Sequence, residues 1–560
     1  TENQECEISL NDLNGGALQT NSDAFNVYKR VGGVFLFIGQ TKVATFKDPN
    51  LVPSITASSP PEESDFFAQT LTYSTGGSGS GTPTLGEIIT GQTSGATARI
   101  VTVAQGATGV SGTIVVTPLS GVLVVGEDID GDLAFGGASN PPEIDTITTD
   151  YPSVVAFFED RLCWAASALK PQTVWTSQSG DYQNLTKSQV PIASDALEFT
   201  INARQLNKIF HMAALDRLLL MTSGAVWSAS GAGENEPIAP DSIRVRVQSY
   251  NGTEDVAPIF FDDSVIYLED KAQTVRDLRY EFTSDKYSGN DLSVLARHLF
   301  DGYTILDWCR QQVPYGLIWA ARDDGTVLCL TYLREHDVRG WSQHAIGDAV
   351  TSMASISGTS EDDVYMVVER GTRRHIEILQ SRQYGTNIKN AWFVDDGASG
   401  SIYNGKEVHG LWHLEGETLS ALVDGNVEEG LVVSDGSVTL TNTPTATVII
   451  GVPFTGEMTT LDINAGANGG SLQAQRRRVS KIFVRLEDTR GVFGAEDGTS
   501  PLNELKQQLY IPDSPIDTVS GIVEIVPASE WSRQGRVHLE FPYPLPAEVT
   551  AIMPEITVGS

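Results

Sequence analysis

Ser153-Val-Val-Ala-Phe-Phe-Glu-Asp-Arg-Leu-Cys-Trp-Ala-Ala-Ser167 is two short apolar runs joined by a turn, and Asp216-Arg-Leu-Leu-Leu-Met-Thr-Ser-Gly-Ala-Val-Trp-Ser-Ala-Ser230 repeats that texture. Runs of about five β-branched, aromatic and aliphatic residues bounded by Gly or Asp turns read as paired strands. Three more pairs follow, opening at Ser264, Gly316 and Asp363, so successive starts differ by 63, 48, 52 and 47 residues. A period near 50 is blade-like: a small antiparallel sheet cannot bury both faces alone, so neighbours stack around an axis. Five units is a lower bound.

Outward from this body, the composition agrees. The 560 residues are 40% hydrophobic, with 53 Gly and 25 Pro, which favours an all-β, turn-rich chain. At this length several cores are expected rather than one. Subtracting 71 acidic from 37 basic residues gives a net charge of −34, scattered rather than gathered in a tail. Phosphate binding needs Lys and Arg to replace condensed counterions, so tight binding to DNA or to an anionic membrane is disfavoured.

Ahead of the body, Phe25 to Gly39 reads as a hairpin turning at Gly32-Gly33, followed by a strand from Lys42 to Phe46 and a Pro-rich exit from Pro49 to Pro61. The pattern resembles the later half of a fibronectin-type-III sandwich, with no room for its first strand upstream of Ile8, so the sequence is expected to start inside a domain. Residues 74 to 82 read as a flexible linker. Beyond it, Gly86 to Thr102, Thr113 to Thr117 and Val122 to Ile129 suggest a small β-module inserted before the body. Within the body, Asp291 to Phe300 breaks the pattern and predicts a short amphipathic helix with Leu292, Leu295, Leu299 and Phe300 on one face. After Gln380, strands are expected at Val408–Leu414, Thr418–Asp424, Ser437–Leu440, Ala446–Val452 and Ser480–Glu487, with turns at Asp424-Gly425 and Asp435-Gly436.

The chemistry-bearing residues are sparse. Cys6, Cys163, Cys309 and Cys329 are widely spaced with no C-x-x-C pair, and buried free thiols are expected. His409 and His413, followed by Glu415, could hold zinc on a helix; in a strand they would stand about 13 Å apart, too far for one ion. The run Asp128-Ile-Asp130-Gly-Asp132 superficially matches a calcium loop, yet Leu133 stands where the turn Gly is required and Ser139 where the bidentate Glu belongs, so a solvated turn is expected. Gln475-Arg-Arg-Arg-Val479 is the densest basic run; an intersubunit salt bridge or exposed strand entry is the expectation over DNA contact. Trp164, Trp175, Trp227, Trp319 and Trp341 are read as blade packing rather than as stacking platforms for single strands. No P-loop, H-E-x-x-H or G-x-S-x-G signature occurs. Carboxylates are so frequent that some pair must sit at glycosidase spacing, and frequency alone supports no enzyme. No apolar run approaches the ~18 residues of a membrane span, and residues 1 to 20 lack a signal-peptide pattern.

Several uncommon segments recur in one order: Pro171-Gln-Thr-Val-Trp-Thr-Ser-Gln-Ser-Gly-Asp-Tyr-Gln-Asn-Leu185, Ala203-Arg-Gln-Leu-Asn207, Leu219-Leu-Met-Thr-Ser-Gly-Ala-Val-Trp227, Tyr287 to Phe300, and Gly340-Trp-Ser-Gln-His344. On these, the stretch from Tyr151 to Leu379 resembles the propeller region of phage tail nozzle proteins (tail tubular protein B) of short-tailed bacteriophages. The resemblance implies a structural virion protein, not an enzyme. It implies a closed ring, typically a homohexamer, below the portal and adaptor, carrying fibres, spikes or a plug, with double-stranded DNA passing through unbound. It also implies a place in the virion tail after assembly in a bacterial cytoplasm. The family's longer N-terminal region is not matched. The expected organisation is a partial fibronectin-III-like domain (1–65), a linker and small β-module (66–150), a β-propeller (151–385), a β-sandwich or barrel (386–480) and a C-terminal β segment (481–560). No catalytic, cofactor or metal residue is assigned. The alternative is a tail-associated polysaccharide-degrading or glycan-binding protein.

Overall fold

The computed structural model describes residues 6–9, 25–31, 34–41, 45–48, 69–74, 82–104, 107–108, 110–131, 141–182, 184–185, 191–233, 236–261, 264–385, 387–400, 403–464, 475–505, 518–528 and 530–559. The chain is all-β with a β-propeller body. It divides into two compact units, Thr1–Ile305 and Leu306–Ser560.

In the first unit, β1 (Cys6–Ser9) pairs with β4 (Thr45–Asp48), and β2 (Phe25–Val31) with β3 (Val34–Thr41), all antiparallel. The expected hairpin is therefore present, and β4 covers the described part of the strand expected from Lys42 to Phe46; residues 42–44 lie outside the described residues. Gly32-Gly33 and the Pro49–Pro61 exit lie outside the described residues.

The next six strands are β5 (Gln69–Ser74), β6 (Ile88–Gly91), β7 (Thr97–Val103), β8 (Ser111–Ser120), β9 (Ile129–Gly131) and β10 (Glu143–Thr149), ordered β10-β5-β8-β7-β6-β9. Hydrogen bonds from Ile129 N to Pro142 O and from Ile144 N to Glu127 O join β9 to β10 and close a barrel. The core holds Leu71, Tyr73, Ile89, Ile100, Ile114, Val116, Ile129 and Ile144. Because β5 lies in the same sheet as β8, the Gly/Ser run after Ser74 joins two strands of one barrel; it does not separate a linker from an insert.

The barrel is an internal duplication. Gly86-Glu87-Ile88-Ile89-Thr90-Gly91 and Gly126-Glu127-Asp128-Ile129-Asp130-Gly131 share the pattern G-E-x-I-x-G. Gly86 (φ +88°) and Gly126 (φ +84°) both take the left-handed conformation. Gly86 N donates to Ile100 O and Gly126 N to Ile144 O, each at 2.8 Å; Ile100 N returns a bond to Glu87 O and Ile144 N to Glu127 O. β5, β6 and β7 thus correspond to β8, β9 and β10, and the central β5–β8 pair and the β6–β9 pair lie on the pseudo-two-fold.

Four-stranded antiparallel meanders follow, each neighbour hydrogen-bonded to the next. The first is β11 (Val154–Phe158), β12 (Arg161–Ala165), β13 (Thr173–Thr176) and β14 (Glu198–Thr200); the second is β15 (Ile209–Ala214), β16 (Leu218–Thr222), β17 (Val226–Ser230) and β18 (Arg244–Ser249). The third is β19 (Ile259–Phe261), β20 (Ser264–Leu268), β21 (Val275–Glu281) and β22 (Lys286–Ser288). These are propeller blades. Cys163, Val174, Leu218 and Leu220 fill the gap between the first two, and Leu219, Met221, Val265 and Tyr267 that between the second and third. Leu218 to Met221 face both neighbours alternately, which is why β16 reads as one continuous apolar run.

All five strand pairs read from the sequence are real hairpins. The irregular first interval of 63 arises because the pair at Ser153 is strands one and two of its blade, whereas the pair at Asp216 is strands two and three of the next. First strands begin more evenly, at Val154, Ile209, Ile259, Ile305 and Ala349. The expected helix at Asp291 to Phe300 is corrected: only Val294–Leu299 is helical, it is of the tight 3-10 kind, and Ala296 leaves helical geometry (φ −121°, ψ 27°). Leu292, Leu299 and Phe300 are buried, but Leu295 points into solvent. Three residues per turn cannot keep the 3.6-residue stripe in register.

β23 (Ile305–Gln311), whose first residue ends the first unit, β24 (Leu317–Arg322), β25 (Val327–Leu333) and β26 (Val338–His344) form a blade, packed on the three-stranded β27 (Ala349–Ser357), β28 (Asp362–Arg370) and β29 (Arg373–Ile378) through Trp319, Val327, Val364 and Met366. A sandwich follows. One sheet is β30 (Asp395–Ser399), β36 (Val448–Val452), β33 (Thr418–Val423) and β34 (Asn426–Val432) in spatial order; the other is β31 (Tyr403–Asn404), β32 (Glu407–His409) and β35 (Ser437–Thr439). Val408, Leu419, Ala421, Val438 and Ile450 lie in its core. Asp424-Gly425 and Asp435-Gly436 are left-handed turns, as their sequence requires. A second sandwich pairs β37 (Gly456–Thr459), β42 (His538–Phe541), β39 (Phe493–Ala495) and β40 (Asn503–Glu504) with β41 (Val519–Ile525), β38 (Arg477–Thr489) and β43 (Glu548–Val558). The division expected between 480 and 481 falls inside β38, a 13-residue strand.

Candidate functional site

His409 ends β32, but His413 sits in a 3-10 turn, Trp412–Leu414, not in the continued strand expected from Val408 to Leu414. The two histidines face different carboxylates: His409 Nε2 is 3.8 Å from Glu407 and His413 Nε2 is 3.8 Å from Asp396. Glu415 instead accepts the backbone N–H groups of Asp435 (3.0 Å) and Gly436 (2.8 Å), fixing the next turn. Asp128 and Asp130 belong to strand pairing against Glu143 and Thr90 rather than to a turn, and Asp132 to Ser139 lie outside the described residues. Among the described residues no cluster of three or more His, Cys, Asp or Glu is placed to hold a metal.

Arg477, at the centre of the basic run, is buried. It donates to the carbonyl of Ile463 and, at 2.6 Å, to that of Arg533. Arg476 and Arg478 remain exposed. Burial pushes the thiols of Cys163, Cys309 and Cys329 up to about 12, and all three are free; the Cys6 side chain lies outside the described residues. Trp175 and Trp319 are buried, Trp319 donating its indole N–H to Gln311 Oε1 at 3.0 Å; Trp164, Trp227 and Trp341 are half-buried in blade strands. His344 packs on Trp319 at 5.2 Å, and burial, with Arg382 nearby, lowers its pKa to about 4. It is a neutral packing histidine.

Two constellations escaped the sequence because their members are far apart along the chain. Arg370 of β28 meets Glu377 (2.7 Å), Asp395 (2.8 Å) and Asp396 (3.3 Å), tying the last blade to the first strand of the sandwich. Burial works against the Arg370 charge, but hydrogen bonds to Glu377 and Asp395 outweigh it and hold its pKa above the ordinary value. Burial pushes the Asp396 carboxyl up, against the pull of Arg370. An arginine fills the space a cation would need, so the cluster is a latch between domains. His538, buried on β42, has Thr459 Oγ1 at 2.7 Å from Nδ1 and Glu540 Oε1 at 2.9 Å from Nε2. Both ring nitrogens are engaged within the sheet, which leaves none to ligate a metal.

The strongest electrostatic feature lies on the three blades from Val154 to Ser288. Adjacent strands run in opposite directions, so the loops fall into two sets at opposite strand ends. The set holding residues 159–160, 177–197, 215–217, 231–243 and 282–285 carries, among the described residues, eight carboxylates and one cation, Arg217. The set holding 166–172, 201–208, 223–225, 250–258, 269–274 and 289–304 carries six carboxylates against five cations. Arg161 holds the acidic end in shape: buried in the first blade, it donates to the carbonyls of Ser177 (2.9 Å), Asp195 (2.6 Å) and Ala193 (2.5 Å).

The segments that carry the phage resemblance sit on blade elements: Pro171 to Leu185 on β13 and the loop after it, Ala203 to Asn207 between the first two blades, Leu219 to Trp227 on β16–β17, Tyr287 to Phe300 between the third and fourth, and Gly340 to His344 on β26. No known family profile matches the chain, and no curated protein does. Among solved structures it is similar to the β-propeller domain of Myceliophteria thermophila Cps50 (Swd1), with 10% identity over 55% of this chain and 89% of that one, TM-score 0.25. Chaetomium thermophilum Raptor matches with 12% identity over 54% of this chain and 28% of its own, TM-score 0.25. A luciferin-regenerating enzyme matches with 11% identity over 38% and 80%, TM-score 0.18.

Proposed function

We propose that the chain is a structural subunit of a bacteriophage tail nozzle: a ring, most simply a homohexamer, below the portal and adaptor. In this reading it conducts the genome outward, carries fibres or spikes, and performs no catalysis. The observation that supports it most is the acidic loop end of the first three blades, in a chain of net charge −34. A channel wall bearing several Lys or Arg phosphate contacts per subunit would retard DNA through counterion release, whereas carboxylates leave it free to slide. The repulsion acts over the screening length, about 8 Å at physiological salt. The resemblance of the ordered segments between Pro171 and His344 to tail nozzle proteins supports that location.

Electron-microscopy class averages of the purified full chain, or of the virion, test this directly. A ring with a lumen beneath the portal is the expected result; a monomer at all concentrations, or a lumen lined by Arg and Lys, would sink it. Release of reducing sugar from capsule or peptidoglycan would favour the polysaccharide-degrading alternative instead.

A further inference from the structure

The near-neutral loop end of the first three blades is one continuous surface. Pro171 O accepts from Ile209 N (3.0 Å), Lys208 O from Ser223 N (3.3 Å), Gly252 O from Asp270 N (3.1 Å) and Ala272 O from Ile305 N (3.2 Å), so each loop is stitched to the next. Four large apolar side chains stand out of it: Leu169 is 73% exposed, Leu206 76%, Tyr250 82% and Leu295 93%. A single exposed leucine needs no explanation. Four on one end do, since among the described residues of these blades the acidic end shows only Phe282 at such exposure.

Charge on this surface is divided by position. Lys170, Arg204 and Lys208 lie on the first blade and the passage to the second, with Asp150 bonded to Ser167 and Leu169 beside them; Glu254, Asp255, Glu269, Asp270, Asp291 and Asp301 lie on the second-to-third passage and the third blade's loops, where Lys271 and Arg297 offset them only in part. His211 separates the two sets, with its Nε2 3.8 Å from Asp255.

We infer that this end is a self-complementary contact on which two copies of the chain meet about a two-fold axis. The basic half of each lies against the acidic half of the other, with Leu206 and Tyr250 covered between them. A two-fold contact uses the same patch on both partners, so it requires one patch that carries both signs. It also requires relief from self-repulsion, which a chain of net charge −34 meets over most of its surface. The acidic end, with eight carboxylates to one cation among the described residues, fails both conditions. Such a contact closes at two copies and cannot propagate round a ring. It therefore covers the apolar loops of the free chain before any larger assembly, and it stands apart from the tail reading.

Sedimentation velocity of the full chain at graded concentration and salt tests it. A species of twice 60.3 kDa is expected, weakening as salt rises. Arg204→Glu with Lys208→Glu, and separately Asp255→Lys with Asp270→Lys, should each weaken that species by about tenfold or more in Kd. All four positions are exposed, and circular dichroism checks that the fold is kept. Mixing the two variants in equal amounts should restore the two-chain species, because reversed acid meets reversed base while the native halves still pair. A wild-type chain with no two-chain species, a mass unmoved by either variant, or a mixture that fails to recover overturns the inference. A two-chain species with no ring under any condition would count against the tail reading and leave this one standing.

Discussion

The barrel from Gln69 to Thr149 and the blades from Val154 to Ser288 answer the same problem, how to bury both faces of strands only three to ten residues long, with two kinds of repetition. The barrel uses its repeat twice and turns it about a two-fold, so that the halves close on each other and every strand finds two neighbours. The blades use a longer repeat in succession, and each sheet relies on the next to cover its face. The difference shows in the polar keys. Both halves of the barrel place a buried glutamate at the same point: Glu87 accepts from Thr84 N (2.9 Å) and Glu127 from Val124 N (2.5 Å). Among the described residues the blades show unlike keys. Arg161 serves the first, and the Arg276–Glu269 pair at 2.9 Å serves the third.

If the blades depend on individual keys, losing one should cost most. Arg161→Leu strands the carbonyls of the buried Ser177 and Asp195, at about 1–3 kcal/mol each, while that of the exposed Ala193 can turn to water, so a loss of about 4 kcal/mol is expected. It should appear as a drop in the denaturant midpoint of the first unit. Leu220→Ala, between the first and second blades, should cost about 3 kcal/mol by the same measurement, through lost burial and a cavity. In the barrel, Glu87→Ala and Glu127→Ala should each cost about 2 kcal/mol, and equal costs are the sharper test of the duplication. Hydrogen exchange at Ile100 and Ile144 reads each half separately, and a cost confined to one half would break the symmetry argument.

Acid should also act on the barrel. Burial opposes the Glu127 charge, but N–H donors from Val124 and Ser94 and the Ser94 hydroxyl outweigh it and hold the carboxyl below its ordinary value. A lowered pKa contributes stability that is present above the unfolded pKa and is lost as pH falls through the folded one. The barrel should therefore loosen on acidification in hydrogen exchange, and Glu127→Gln should remove that part of the pH dependence. The smallest effect is expected at the exposed tips: Leu85→Ser and Val125→Ser, equivalent positions beside Gly86 and Gly126, should each shift stability by less than about 0.5 kcal/mol.

How much was legible follows the same division. The five hairpins were readable because alternating or continuous apolar strands and turns with positive φ, such as Glu159-Asp160 and Asp424-Gly425, are local properties. The barrel was harder. Its repeats resemble each other at only a few positions, and the Gly/Ser run after Ser74 has the composition of a linker although it connects two strands of one sheet. The Arg370 latch and the Thr459–His538–Glu540 chain were invisible, since their partners come from different strands. The failed helix at Asp291 teaches the converse: a stripe of leucines fits a helix, but Leu292, Leu299 and Phe300 could be buried without Leu295.

By itself, then, the sequence determined an acidic, all-β chain with blade-sized repetition and turn positions, because strand periodicity, turn chemistry and net charge need no partner beyond a few residues. Only the tertiary structure decided that Gln69 to Thr149 closes into a two-fold barrel, that Arg477 is a core residue rather than part of a basic surface, and that the loops of the first blades separate into an acidic end and a near-neutral apolar end. Those depend on which distant strands hydrogen-bond and in which direction each runs. Alternation along a strand fixes its faces, whereas the end at which a loop emerges is set by the meander as a whole.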